Sequence, residues 1–247
     1  MNSVAVLSDV HGNRWALEAV LEDVAKQHVD AVVNLGDSLW GVLAPAETAD
    51  LLMARRIVSI RGNEDREILE HAGGEVSVSL RHTMAAMDSR RTSWLASQPA
   101  TYAIGEILLC HGTPASDTCY LLEAVTERGV VRRDAGEVRA ALRAIDQTVV
   151  LCGHSHLPGS LQVPDGPLVV NPGSVGLQAF TDDSPIPHRI ESGTPHARYA
   201  IIRRRAAGWD LEHRALRYDW EAASECARRN GRADWAHQLL TGLAAAP

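Results

Sequence analysis

Six short apolar runs, rich in β-branched residues, each stop abruptly at Asp, Asn, His or Gly, and this repeated break limits what the chain can fold into. The runs are residues 4–7 before Ser8 and Asp9, 31–33 before Gly36 and Asp37, and 57–60 before Gly62 and Asn63. Three more are residues 107–110 before His111, 149–152 before His154, and 168–170 before Asn171-Pro172-Gly173. Runs this short and apolar are expected as buried strands. Between them apolar positions recur at helical spacing, in Leu17, Val20, Leu21 and Val24 and again in Val138, Ala141, Leu142 and Ile145. Alternating strand and helix predicts an α/β fold with a largely parallel sheet covered by helices. Such sheets bind ligands beyond the carboxyl ends of their strands, which is where the polar residues stand.

Residues 74–100, with Met84, Met87, Trp94 and Leu95, are expected to be helical and to form a small cap over the site. Residues 181–197, rich in Pro, Ser, Asp and His, are expected as a mobile surface loop. Strands are predicted near residues 199–202 and 209–216, followed by two closing helices. No internal repeat and no strong boundary divides the sequence. Residues 1–247, 45% hydrophobic, are therefore read as a single domain around one large core.

Composition excludes several functions. The net charge of −7 gives no general attraction for a phosphate backbone, so general nucleic-acid binding is not expected. No apolar stretch approaches the ~20 residues of a membrane span, and Met1 runs into Val4, Ala5, Val6 and Leu7 without the form of a signal peptide. The expected location is the cytoplasm. Cys110, Cys119, Cys152 and Cys226 form no CxxC pair and read as reduced core residues. Of 24 basic side chains only Lys26 is lysine, at the polar end of an amphipathic helix, which sets aside mechanisms built on a catalytic lysine.

The polar residues at the strand ends carry the chemistry. Asp9 and His11 stand two apart, and in an extended segment residues i and i+2 point the same way, so both can face one metal ion. A turn explains Asp-x-His equally well. Gly153-His154-Ser155-His156 places two imidazoles at the same spacing beyond a buried strand, where solvent or a metal must satisfy their nitrogens. Asn63 and His111, singly, are more often structural than ligating. Together the five strand ends deliver Asp9 and His11, then Asp37, Asn63, His111, and finally His154 and His156. With one carboxylate bridging, these seven give two ions four protein ligands each. Mixed oxygen and imidazole donors without thiolate suit Mn, Fe, Zn, Co or Ni better than calcium.

This run of motifs resembles the calcineurin-like metallophosphoesterase superfamily over residues 4–156, and Asn171-Pro172-Gly173-Ser174 extends the likeness toward its small bacterial phosphodiesterase branch. The resemblance implies a sandwich of two mixed β-sheets flanked by helices. It implies that Asp9, His11, Asp37 and His156 hold one metal and that Asp37, Asn63, His111 and His154 hold the other, Asp37 bridging. A hydroxide between the ions would then attack phosphorus, with Asp37, Asn63 and His111 catalytic. Asn13 and Arg14 stand at the start of a helix, where free amides favour a phosphate; that Asn13 only caps the helix is an equal alternative.

One departure matters. Where many members carry Gly-Asn-His, this chain has Gly62-Asn63-Glu64-Asp65. Glu64 can replace that histidine as an acid only if its pKa is raised, and two neighbouring cations act against that. Substrates with good leaving groups are therefore expected. Gly36-Asp37 runs into Ser38-Leu39-Trp40-Gly41 without the Asp-Arg-Gly of protein phosphatases, and no Gly-x-Ser-x-Gly elbow occurs. The expected activity is metal-dependent hydrolysis of a small phosphodiester or nucleotide. Hydrolysis of dinucleoside polyphosphates is the near alternative, and a non-catalytic scaffold on the same fold the distant one. Oligomeric state is not indicated.

Overall fold

The computed structural model describes residues 1–71 and 73–245. Its first elements are β1 (Ser3–Leu7), α1 (Arg14–Val24), β2 (Ala31–Asn34), α2 (Pro45–Ala54), β3 (Val58–Ser59), α3 (Asn63–Glu70), α4 (Val78–Ala85) and α5 (Ser89–Ala96). The middle holds β4 (Thr101–Ile104), β5 (Ile107–Cys110), β6 (Glu123–Thr126), β7 (Gly129–Arg132), α6 (Ala135–Ala141), β8 (Val149–Leu151), β9 (Gly159–Gln162) and β10 (Leu168–Asn171). The last are β11 (Ala179–Asp182), β12 (His188–Glu191), β13 (Ala197–Arg205), β14 (Gly208–Leu216), α7 (Trp220–Arg229) and α8 (Ala233–Thr241).

Two five-stranded mixed sheets result, in the orders β14-β13-β1-β2-β3 and β4-β5-β8-β10-β9. In the first, β1, β2 and β3 run parallel and β13 pairs antiparallel to β1, with Val6 opposite Ala200. In the second, β5, β8 and β10 run parallel, with Leu109 opposite Leu151.

Alternation along the central strands explains why two sheets form a sandwich. Val4 and Val6 of β1 pack with Ile107 and Leu109 of β5 and Val149 and Leu151 of β8 in the layer between the sheets. Their sequence neighbours face outward: Ala5 and Leu7 join the core under α1, α7 and α8, while Leu108, Cys110 and Val150 join the core under α6. Period-two side chains on strands apolar at every position thus supply two faces at once. The helix-side core runs in sequence from Ala5 to Leu239. α1 turns Ala16, Leu17, Val20, Leu21 and Val24 inward, the stripe read from its spacing.

Several expectations are corrected. Residues 181–197 are not a loop: β11 and β12 pair antiparallel, Phe180 opposite Ile190, and His188 and Ile190 turn inward. Strands of four residues with Pro and Ser between them leave almost no periodic signal. Residues 74–100 form helices, with Leu80 and Leu95 inserted into the main core and Thr83 bonded to Gly41. α6 ends at Ala141, short of Ile145. Cys110, Cys152 and Cys226 are buried and Cys119 is exposed, all four unpaired. No helix among the described residues is long and apolar enough to cross a membrane.

Candidate metal centre

The parallel strands of both sheets end on the same side of the sandwich, and the seven residues singled out by the sequence follow those ends. Asp9 and His11 come after β1, Asp37 after β2, Asn63 after β3, His111 after β5, and His154 and His156 after β8. The ligand atoms of Asp9, His11 and His156 lie within 4.8 Å of one another, as do those of Asp37, His111 and His154. A third such group joins His11, Asp37 and Glu64, which brings Asp37 next to both clusters.

The backbone that does this is not the extended one expected from the i, i+2 spacing. Asp9, His11, Asp37, His154 and His156 all have positive φ, between 49° and 67°. Non-glycine residues there cost about 1–3 kcal/mol each and persist only where neighbours over-determine them. Here the loops lace together. Asp9 N donates to Gly36 O and His11 N to Asp37 O, both at 3.0 Å, which ties the loop after β1 to the loop after β2. Gly153 N donates to His111 O within the second sheet's loops, and His154 N donates to Asp9 Oδ2 at 3.2 Å, which ties those loops to the first sheet's. The side chain between each ligand pair, Val10 or Ser155, is fully buried.

Asn171-Pro172-Gly173-Ser174 acts as a buckle. Asn171 Nδ2 donates to Gly153 O and Ser155 Oγ, its Oδ1 accepts from Gly173 N, and Ser174 Oγ donates to Asp9 O. Asp65, which sequence reasoning left without a role, accepts from the amides of Ser38, Leu39 and Gly62 and so joins the Gly36-Asp37 turn to the start of α3. A carboxylate three residues into a helix is a capping pattern, the signal that identifies it.

Imidazole orientation is set from behind. His111 Nδ1 pairs with Leu35 O at 2.8 Å and His156 Nδ1 with Leu177 O at 2.7 Å, leaving both Nε2 atoms for the centre. His154 packs between Tyr120 and His111, ring centroids 4.8 and 5.0 Å away. Asp9 Oδ1, His11 Nδ1, Asn63 Oδ1, Glu64 Oε2 and His111 Nε2 are buried without hydrogen-bond partners. Buried polar atoms are normally paired, and orphans on residues of these adjoining clusters fit cation ligands. Their mixed oxygen and nitrogen set suits divalent transition metals.

The charges agree. Burial alone would raise Asp9, but His156, His111 and His11 hold it well below the ordinary carboxylate value. Asp37 is lowered too, burial being outweighed by His111 and His11. Burial works against protonated His11 and His111, yet the facing carboxylates raise them to about 9 and about 10. His154, buried and beside His111, falls to about 4. Asp9 and Asp37 stay ionised, whereas burial and neighbouring Asp37 push Glu64 up to about 7 against the pull of His11, and protons on His11 and His111 supply positive charge that a metal would replace.

Glu64 reaches the same cluster: its Oε2 lies 3.1 Å from His11 Nδ1, too poorly aligned for a hydrogen bond, and its own amide donates to Asp37 Oδ1 at 2.9 Å. Asn13 does not reach it. Its side chain is fully buried, accepts from Ala16 N, and donates to Gly176 O and Tyr218 Oη. The amides of Asn13 and Arg14 bond to Val10 O and Gly12 O. Asn13 is the cap of α1, and the phosphate role expected for it is withdrawn.

A cavity of about 270 Å³ opens onto the cluster. Beyond the ligands it is lined by Trp40, Leu177, three residues of β11 and the segment Arg232 to Gln238, much of it from the C-terminal part of the chain, where the sequence offered no motif.

The calcineurin-like phosphoesterase superfamily domain matches residues 2–189. An uncharacterized protein of Methanocaldococcus jannaschii is 22% identical over 96% of both chains. The crystal structure of a metallophosphoesterase from Sphaerobacter thermophilus superimposes with a TM-score of 0.77 at 22% identity, covering 98% of this chain and 99% of that one.

Proposed function

The chain belongs to the calcineurin-like phosphoesterase superfamily, and from that premise we propose that it is a metal-dependent phosphodiesterase acting on a small organic phosphate. The observation that carries the proposal is the pair of buried ligand clusters, Asp9/His11/His156 and Asp37/His111/His154, whose members His11, Asp37, His154 and His156 line a cavity together with Asn63. We assign Asp9, His11, Asp37 and His156 to one ion and Asp37, Asn63, His111 and His154 to a second. Two divalent cations there would supply the charge that activates water and offsets the negative phosphate.

The chain's own residues do the rest. The carbonyls of Leu35 and Leu177 hold the His111 and His156 rings in place, and the laced loops fix the carboxylates, so little reorganisation is left for the reaction. Burial raises Glu64 to about 7 in the metal-free protein, but two cations beside it would lower it again, so it serves better as a further ligand to the centre than as an acid for the leaving group. Good leaving groups are favoured accordingly.

Metal analysis tests the assignment. Purified protein should carry, or take up, close to two Mn, Fe or Zn ions per chain, and Asp37→Asn should lose at least one of them. A chain that binds none is a scaffold on this fold and contradicts the proposal.

A further inference from the structure

The cavity extends past the metal ligands to an outer wall made by two elements, α8 and β11. Asp234, Trp235 and Gln238 come from α8, and Phe180, Thr181 and Asp182 from β11. Residues 234 and 238, and 235 and 238, are spaced to share one helix face. α8 lies beyond residue 189, where the superfamily match ends.

Gln238 is only 3% exposed, and its Oε1 has no hydrogen-bond partner. A buried amide oxygen without a donor is one that a ligand can satisfy. Among the described residues Arg232 is the one guanidinium lining this cavity, and it is already committed. Its Nε and Nη2 donate to Asp234 at 2.9 and 2.7 Å, its Nη1 donates to Ser79 Oγ, and it lies 5.0 Å over the Trp235 ring. Asp182 adds a second carboxylate, which among the described residues accepts only from the Ser184 amide. This cavity therefore offers hydrogen-bond acceptors beside an aromatic face, with its lining guanidinium paired, while Arg189 stands in the adjoining cavity that Asp182, Asp234 and Gln238 also line.

Building on the phosphodiesterase reading, we propose that the α8–β11 wall, through Gln238 and Asp182, selects the organic arm of the substrate. That arm is a neutral ring bearing hydroxyl or N–H donors, packed near Phe180. A substrate that extends a second phosphate into this space meets the Asp182 carboxylate and an Asp234–Arg232 pair without net charge, and is disfavoured by like charge. The wall thus separates the two candidate chemistries, favouring diesters of neutral alcohols over dinucleoside polyphosphates.

The test uses two esters that release the same phenolate: bis-p-nitrophenyl phosphate, which has no donors, and the p-nitrophenyl ester of thymidine 5′-phosphate, which has both kinds. With Mn(II) present, kcat/KM is measured on each for wild type and Gln238→Met, which roughly keeps volume and removes the strong acceptor. The ratio of thymidine ester to bis-aryl ester should fall about tenfold or more in the variant, since a site built to pair a donor discriminates strongly. An unchanged ratio overturns the inference while leaving the phosphodiesterase reading intact. Wild type inactive on both esters would instead remove that reading and this inference with it. Should Gln238→Met fail to fold, wild type alone decides: a 3-N-methyl, 3′-deoxy thymidine ester should be poorer by about tenfold, and equal rates overturn the inference.

Discussion

His11 Nε2 and His156 Nε2 lie 3.1 Å apart, although the residues are 145 positions apart in sequence and come from loops of different sheets. Two imidazole nitrogens this close cannot both carry protons without repulsion, so the contact needs a shared proton or a cation. Asp9 Oδ1, 3.3 Å from His156 Nε2, supplies the negative charge that either one would balance.

Proton and metal should therefore compete. His11 and His111 are raised to about 9 and about 10 from an ordinary value of 6.5, so near neutral pH each is protonated in the metal-free protein. Metal binding should release protons, countable by calorimetry in buffers of different ionisation enthalpy, and apparent affinity should rise with pH up to about 10. The stability sign follows from the same shifts. Raised histidine pKa values stabilise the metal-free fold fully below about pH 6.5, and that contribution is lost as pH rises through about 9 and 10. Thermal melts should show this loss in the metal-free protein and a much smaller one in the loaded protein. A flat profile in both contradicts the charge arrangement.

Gly62 stands so close to Asp37 that a Cβ on it would overlap Asp37 Oδ1 and crowd its amide. Gly62→Ala must move either the proposed bridging carboxylate or the start of α3. We expect a loss of stability of about 1–3 kcal/mol and a metal affinity lowered by about tenfold or more, the scale seen when groups supporting ligands are disturbed. Denaturant melts and metal titration measure the two effects separately, and wild-type values in both would contradict the role given to this contact.

Glu64 is distinguished from a general acid by its leaving-group dependence. If it only supports the metal centre, Glu64→Gln lowers rates on aryl and alkyl diesters by similar factors. A general acid would instead lose about 10²–10⁴-fold on alkyl esters, with little loss on nitrophenyl esters. A Brønsted plot over a series of esters reads the difference, and a selective loss on alkyl esters would restore Glu64 to the acid role.

Most of this centre was legible in the sequence because strands apolar on both faces break sharply where they meet the site. Asp9, Asp37, Asn63, His111 and His154 each mark such a break. The backbone was not legible. The positive φ of Asp9, His11, Asp37, His154 and His156 is imposed by hydrogen bonds between loops far apart in sequence, and no local pattern announces it. Asn13 was ambiguous because cap and phosphate ligand share one residue type, and only its bonds to Gly176 and Tyr218 decide. The outer wall was invisible for a related reason: Gln238 and Asp234 belong to an ordinary amphipathic helix until α8 is laid against β11.

The most direct test of the central claim is hydrolysis of bis-p-nitrophenyl phosphate with Mn(II) by wild type, chelator-treated wild type and Asp37→Asn. Activity should disappear with chelator, return with Mn(II), and fall by at least about 10²-fold in Asp37→Asn, the loss of roughly 3 kcal/mol of transition-state stabilisation. Equal rates in wild type and Asp37→Asn would contradict it.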